Sequence, residues 1–477
     1  MENVGYLPRQ RPEFKQMLGL AAQNLLTSLP ATIVVALISG FDLPILLFAS
    51  GIGTLISVFI TKGEIPLYYS GSFSYLTVLS TALTAFLGRG FGYEQAISFI
   101  IVGGIFTAIV QILAGWLLTK LGKQRVDYYL PPYIVGTISI IIGLLLAGDA
   151  ISKSANNWWI ALLTLFIIVI WQLVFKKNTI SLYPIVAGVF IGTVVAFICG
   201  FGNLSSLHSA NWFNMPKFVF PNFLASESYE YAIALALLAI STIPESTSHL
   251  SQVGIYTNAI ARKQNKEEPH IENKVGLNLI ADGTADLVGA FLGAPPLTNY
   301  GESIALANIT NCYSTGVLIV SAIMSIIIAF CGKVVGLINC IPTAVIGGMS
   351  IYVFGIIAVQ GLTLFSESKV DFFDKRVAAV VGIMLIVGLS NYSLDLGVFV
   401  MPSIVLAALM GIILNFIWNI IEKRGKMPVK IKNFKYKNSQ GEYVDMISTI
   451  DDSTEQTVNT LNQNNNTTND TQSENNS

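Results

Sequence analysis

Long apolar stretches separated by short polar turns run along the chain from residue 17 to residue 421. A helix needs about 19 apolar residues to cross a hydrocarbon core roughly 30 Å thick. Read at that width, the pattern predicts segments at 17–38, 44–61, 67–81, 95–118, 128–147, 157–175 and 181–200. A polar interval rich in Trp, Phe, Asn and Pro follows at 201–229. Seven more segments come after it, at 231–253, 275–293, 297–310, 313–332, 339–361, 377–391 and 394–421. The expectation is an all-α polytopic membrane protein of fourteen segments, seven on each side of the interval. The first run has no small-residue cleavage site and is long enough to span, so it reads as a retained helix behind a polar arm, 1–16.

Two segments break the pattern of plain Leu/Ile/Val helices. The third begins at Pro66 and reads PLYYSGSFSYLTVLS, short and dense in Ser, Gly and aromatic residues. The tenth lies in GAPPLTNYGESIALANIT, with Pro295, Pro296, Gly301 and a carboxylate at Glu302. Each is the third of its own set of seven. Backbone that leaves helical geometry at membrane depth needs protein or water to satisfy its polar groups. Matched interruptions of this kind point to an inverted-repeat transporter whose binding site lies where they meet. The competing reading, a re-entrant or kinked helix with only a packing role, stands beside it.

Charge tests the topology. Charged residues are only 12% of the chain and hydrophobic ones 53%, where soluble domains carry roughly a quarter charged. With the N-terminus inside and alternating spans, sixteen Lys and Arg fall in the arm or cytoplasmic loops and seven more in the tail. Only Arg89, Lys153, Lys217 and Lys333 fall outside, as the positive-inside rule requires. The net charge of −1 gives no reason to expect a nucleic-acid partner. The four cysteines, Cys199, Cys312, Cys331 and Cys340, have no metal-ligand spacing and lie in apolar surroundings, so neither a structural metal nor a disulfide framework is expected; no cofactor is expected either. From about residue 438 the chain is rich in Asn, Thr and Gln, and reads as a disordered cytoplasmic tail.

Ionisable residues inside apolar segments are costly and mark function by default. Glu245 and His249, four apart in STIPESTSHLSQ, share one face of segment eight, with Pro244 loosening the turn before them. Glu302 stands in segment ten. Asp282 and Asp286 flank Gly283 in segment nine, either as helix–helix contacts or as part of the site. For Glu245 the bland reading is snorkelling to the interface, and for His249 a satisfied structural histidine. Two carboxylates, a histidine and freed backbone N–H groups near Gly71 and Gly301 suit a flat ring with N–H donors and carbonyl acceptors. Phe73 and Tyr300 are placed to sandwich such a ring. A carboxyl that is protonated when open to one side and deprotonated on the other would couple the ring's passage to a proton gradient.

At these residues the sequence resembles the nucleobase–ascorbate transporter family, and within it the uracil-permease branch. The likeness runs from about residue 15 to 425 and is carried by YYSGSFSYL, IPESTSHL and PPLTNYGESIALANIT. It implies two inverted seven-helix repeats, with short antiparallel strands in segments three and ten starting half-helices. A substrate-carrying core would comprise 17–118 and 230–332, and a gate domain 128–200 and 339–421. An extracellular connection at 201–229 and a cytoplasmic tail at 422–477 complete the division. Related proteins dimerise through the gate. Carried over, Glu245 and Glu302 hold the base with the backbone N–H groups of Phe73 and Gly301. His249 joins the two carboxylates in the proton-linked network, and Asn24 and Ser350 support the site.

The resemblance thus implies a proton-coupled symporter of the plasma membrane, both termini cytoplasmic, importing a nucleobase, with uracil favoured by Tyr-Gly-Glu. Its partners are the base, protons, lipid and a second copy of the chain. The alternatives are a xanthine- or urate-type purine permease and a sulfate- or bicarbonate-type anion transporter on the same architecture. An intramembrane enzyme lacks any catalytic constellation here, and a solute-free receptor has no feature in its favour. Three departures from the family pattern bear on the substrate: Gln23-Asn24 replaces Gln-His, Phe354 stands where Tyr is usual, and the glycine of the first strand is shifted by one.

Overall fold

The computed structural model describes residues 5–121, 131–175, 184–390, 392, 394–395, 400–424, 431–437 and 443–449. Helices of ten residues or more are labelled in chain order. Before the central interval these are α1 Phe14–Ser39, α2 Leu43–Ile60, α3 Leu76–Gly88, α4 Tyr93–Leu121, α5 Pro132–Leu145, α6 Trp158–Val174 and α7 Pro184–Ile198. After it come α8 Ala232–Lys263, α9 Val275–Leu292, α10 Gly301–Thr310, α11 Thr315–Ala329, α12 Thr343–Glu367, α13 Lys375–Leu389 and α14 Ser403–Arg424. Among the described residues, eight stretches are long and apolar enough to cross a membrane. They are α1, α2, α4, α8, α9, α12, α14 and the run Pro132–Ser154 that begins with α5; α3, α6, α7 and α11 are apolar but shorter.

Local chemistry sets several boundaries. Gly40, in the left-handed region at φ 75°, stops α1 by donating its N–H to the Ala36 carbonyl at 3.0 Å. Gly293 does the same for α9 at φ 94°. Asn157 caps α6 and Asp374 caps α13, each accepting from a first-turn N–H. Segment fourteen is not helical from 394 as expected. Leu394–Asp395 pairs with Val400–Met401, and α14 starts only after Pro402, whose ring biases the preceding residue to extended backbone. Helix α8 in turn runs ten residues past its expected end at 253, to Lys263.

The compact unit Met1–Asn415 is built from helix pairs that recur seven labels apart. Helix α4 packs on α9 and α11 on α2; α8 packs on α4 and α1 on α11; α6 packs on α12 and α13 on α5. Helix α5 packs on α12, its own counterpart. Glycine lets these backbones touch. A methyl group at Gly276 would lie 2.5 Å from the Gly115 carbonyl, and one at Gly361 would lie 2.3 Å from the Gly136 carbonyl. Such close contacts between small residues are how helices associate in lipid, where no apolar driving force separates helix from tail.

The irregular third and tenth segments meet at the centre of this unit. Strand β1, Tyr69–Gly71, runs antiparallel to β2, Leu297–Asn299, with Ser70 opposite Thr298. Tyr300 N–H to Tyr68 O and Ser72 N–H to Pro296 O, both 2.9 Å, extend the ladder at its two ends. Pairing thereby satisfies the backbone polar groups that the two strands turn toward each other. Gly71 is required there, since a Cβ would lie 2.6 Å from a Val35 methyl. A single 3₁₀ turn, Phe73–Tyr75, leads from β1 into α3, and Gly301 opens α10 two residues after β2.

In the second unit, Phe416–Ser477, Ile431–Lys437 pairs antiparallel with Tyr443–Thr449. This hairpin enters the stretch expected to be disordered from about 438; residues 450–477 lie outside those described.

Candidate functional site

Six residues singled out in the sequence, Phe73, Glu245, His249, Tyr300, Gly301 and Glu302, line one cavity of about 240 Å³. The strand pair brings them together: β1 and β2 lie side by side, so the first turns after each strand open onto the same space. The first N–H groups of a helix have no acceptor within it, which leaves those at Phe73 and Gly301 available to a ligand. Glu245 and His249 enter from α8, one turn apart. The far wall carries Gln172 of α6 and Tyr352, Val353 and Ile356 of α12, and Gln172 donates to the Tyr352 hydroxyl. Phe73 and Tyr300 face each other at 6.3 Å and 22°. A flat ring between them needs two contacts of about 3.5 Å, so a small parting of the rings admits it.

The polar groups around the cavity are tied into a chain. Ser74 donates to Glu245 Oε2 at 3.1 Å. His249 Nδ1 lies 2.5 Å from Asn299 Oδ1, and the Asn299 amide donates to Ser246 Oγ at 2.7 Å. Asn278 donates to the same hydroxyl at 2.7 Å. The Ser246 hydroxyl thus gathers two amide donors, one from α9 and one from β2. Asp286, one turn beyond Asp282, accepts from the Leu297 N–H at 2.5 Å and so anchors the start of β2. Neither aspartate lines the cavity, and both are fully buried in α9. Among the described residues no three His, Cys, Asp or Glu side chains cluster to hold a metal ion.

The chain matches the model of a permease family, Xan_ur_permease, over residues 15–397. It is 33% identical over 423 residues to a uracil permease from Bacillus caldolyticus, covering 86% of this chain and 93% of that protein. A uracil permease from Paenibacillus larvae is 30% identical over 429 residues, covering 87% and 96%. The chain belongs to the nucleobase–ascorbate transporter family. It is therefore a multi-pass membrane transporter and not an enzyme. The fold is shared more widely. The murine anion transporter Slc26a9, in an inward-facing structure, superposes with a TM-score of 0.65 at 12% identity, over 92% of this chain and 73% of that one.

Within this family member two residues expected to support the site do not line the cavity. Asn24 lies behind it, accepting from Ser303 at 2.6 Å and donating to Ser321 at 3.0 Å. It thereby ties α1 to α10 and α11, holding the residue next to Glu302. Ser350 is fully buried, and its hydroxyl has no hydrogen-bond partner among the described residues. Phe354, four residues on, presents its edge to Phe73 at 6.3 Å and 81°. The structure adds Ser74, Asn299, Gln172 and Tyr352 to the polar surroundings of the site. Ser74 and Asn299 adjoin Phe73 and Tyr300 inside the motifs quoted above, and that adjacency was the available signal. Gln172 and Tyr352 sit in ordinary apolar helices and carry no local signal.

Ion pairs sit at both ends of the unit. Glu64 bridges Arg9 and Lys274, both at 2.6 Å, and Arg262 pairs with Glu268 at the same end. The Lys274 ammonium beside Glu64 holds its carboxyl below the usual carboxylate range. Arg89 pairs with Glu230, and Lys153 with Asp149, at the other end.

Proposed function

We propose that the protein is a proton-coupled symporter of the plasma membrane that imports a nucleobase, uracil in the first place. The convergence of Glu245, Glu302 and two half-helix N-termini on one small cavity carries this reading. Carboxylates accept from ring N–H groups, and the N–H groups of Phe73 and Gly301 donate to ring carbonyls. At about 240 Å³ the space is below that of a typical drug-sized pocket and suits a single small ring. An inorganic anion would meet two carboxylates there, which disfavours the anion-transporter alternative. The relatives named uracil permeases support the pyrimidine assignment.

Proton coupling rests on Glu245, His249 and Glu302 sharing the cavity, where a proton on any of them changes what the site binds. The seven-label recurrence of helix pairs supports two inverted repeats and fourteen segments. On this reading α1–α4 and α8–α11 form the core that carries the base. Helices α5–α7 and α12–α14 form the gate against which the core rocks in alternating access. The end bearing Arg9, Lys274 and Arg262 faces the cytoplasm, with both termini, as the positive-inside rule asks. The gate helices expose Phe166, Ile170 and Phe190 outward, for lipid and for a second copy of the chain.

The test is uptake of radiolabelled uracil into proteoliposomes, with and without an inward proton gradient, competed by unlabelled xanthine. Gradient-driven uracil uptake that xanthine leaves intact is the expected result. Xanthine flux without uracil flux would assign the protein to the purine branch instead.

A further inference from the structure

A second cavity, of about 300 Å³, adjoins the first toward the end of the unit that carries Arg9 and Lys274. Its walls include Gln252 and Tyr256 of α8 and Asn308 of α10, and it shares Glu245, His249, Gly301 and Ala305 with the central cavity. Gln252 is three residues beyond His249, and Asn308 seven beyond Gly301. At 1.5 Å per residue they lie roughly 5 and 10 Å further along their helices.

Apart from the shared Glu245 and His249 and the Tyr256 hydroxyl, the polar side chains of this second space fall into two groups. The Ser139 hydroxyl is satisfied by the Val135 carbonyl and that of Thr363 by the Val359 carbonyl. The amides of Gln252 and Asn308 are half-buried, and neither makes a hydrogen bond to the described residues. Each amide sets an N–H donor beside a C=O acceptor, the complement of a ring edge that carries C=O next to N–H. No charged residue other than the shared Glu245 and His249 lines the space, so its chemistry suits a neutral heterocycle.

We propose that Gln252 and Asn308 form a second docking site for the base, between the central site and the face bearing Arg9 and Lys274. The inference rests on the nucleobase reading above and deepens it. The central site holds the base by carboxylates and helix N-termini, and the second adds the Gln252 and Asn308 amides next to the shared Glu245 and His249. A base leaving Glu245 and Glu302 passes to Gln252 and Asn308 before it reaches water. Entry from that face meets the amides first. The second site therefore sets the half-saturation of transport from one face and leaves the other face unaffected.

The experiment compares uracil transport by wild type and by the Gln252→Leu/Asn308→Leu protein in right-side-out and inside-out membrane vesicles. Leucine keeps the bulk of each side chain and removes the amide. Loss of neutral hydrogen bonds to a ligand predicts a rise of about five- to tenfold in half-saturation from the Arg9 face. From the opposite face the change should stay within about twofold, since none of those contacts is used there. Equal shifts from both faces, or no shift from either, overturn the proposal. Should the double variant fail to elute as folded protein, Asn308→Leu alone carries the same one-sided expectation, and Asn308→Gln should restore the wild-type value. If wild type carries xanthine and not uracil, the substrate reading fails. The same face-by-face comparison with xanthine then decides the second site independently.

Discussion

His249 Nδ1 stands 2.5 Å from Asn299 Oδ1, which joins the histidine of α8 to the last residue of β2. An amide oxygen only accepts, so Nδ1 carries the proton and Nε2 is left to the cavity. The amide's own N–H groups are held by Ser246, so the ring is oriented by a strand that cannot turn independently. Replacing Asn299 by Ala should reduce uracil uptake by roughly tenfold or more. It should also destabilise the protein by about 1–3 kcal/mol, because Ser246 and His249 lose buried partners. Uptake kinetics and thermal denaturation in detergent check the two effects separately.

Glu302→Gln should abolish accumulation against a gradient while leaving the fold intact, since Glu302 is the first-turn residue of α10 and its amide counterpart fits the same space. Phe73→Ala should weaken uptake less, about tenfold at most, because the contact proposed there is mainly backbone and only the ring-stacking contribution is lost. Gradient-driven uptake by Glu302→Gln equal to wild type would remove the carboxylate from the site.

Much of this arrangement was legible in the sequence, and the parts that were not have physical reasons. Apolar run lengths and the Lys/Arg distribution mark the helices, because lipid imposes a one-dimensional constraint on each segment. The motifs around Phe73, Glu245 and Glu302 stand out because Gly, Pro and carboxylates are costly in hydrocarbon. The family resemblance drawn from them is borne out. Asn24 and Ser350 were expected to support the site, and both stand behind the cavity wall, Asn24 through its bond to Ser303 beside Glu302; a helix position tells which face a residue occupies but not how deep a neighbour intervenes. Gln172 and Tyr352 depend on how α6 and α12 pack against α8 and α10, and that long-range geometry leaves no trace in either helix alone. The start of α14 was missed because an apolar run does not distinguish a short strand pair from a helix end.

The α4–α9 contact depends on having no side chain between the backbones. A Cβ at Gly276 would lie 2.1 Å from Thr119 Oγ1 and 2.5 Å from the Gly115 carbonyl. Gly276→Val should therefore force the helices apart and cost about 1–3 kcal/mol or more, in the range of overpacked cores. Lower yield of monodisperse protein and an earlier thermal transition are the expected readouts. Gly19→Val, at a glycine with open space around it, is the matched control and should be silent.

The Glu64 bridge gives a pH-dependent contribution of known sign. Its folded carboxyl is held below its ordinary value by Lys274, so the stabilisation is present above the unfolded value and lost as pH falls through the folded one. Both partners are about a third exposed, which limits the effect to roughly 0–1 kcal/mol. Glu64→Gln should lower the thermal midpoint by about a degree or two at pH 7, and the difference should vanish well below pH 4. Thermal scans of both proteins across that range measure it.

The Tyr300 hydroxyl donates to the Gly71 carbonyl across a sequence separation of 229 residues, and the paired strands Tyr69–Gly71 and Leu297–Asn299 lie a comparable distance apart in the chain. Translation at about 5–20 residues per second makes the second partner roughly ten to fifty seconds after the first. For that interval the backbone of Tyr69–Gly71 sits in a nascent segment with no strand to pair with. The third segment cannot settle in lipid on its own and has to wait in a hydrated or chaperoned place until the tenth arrives. Chains that stall before Leu297 are thus expected to hold the Tyr69–Gly71 backbone without its strand partner.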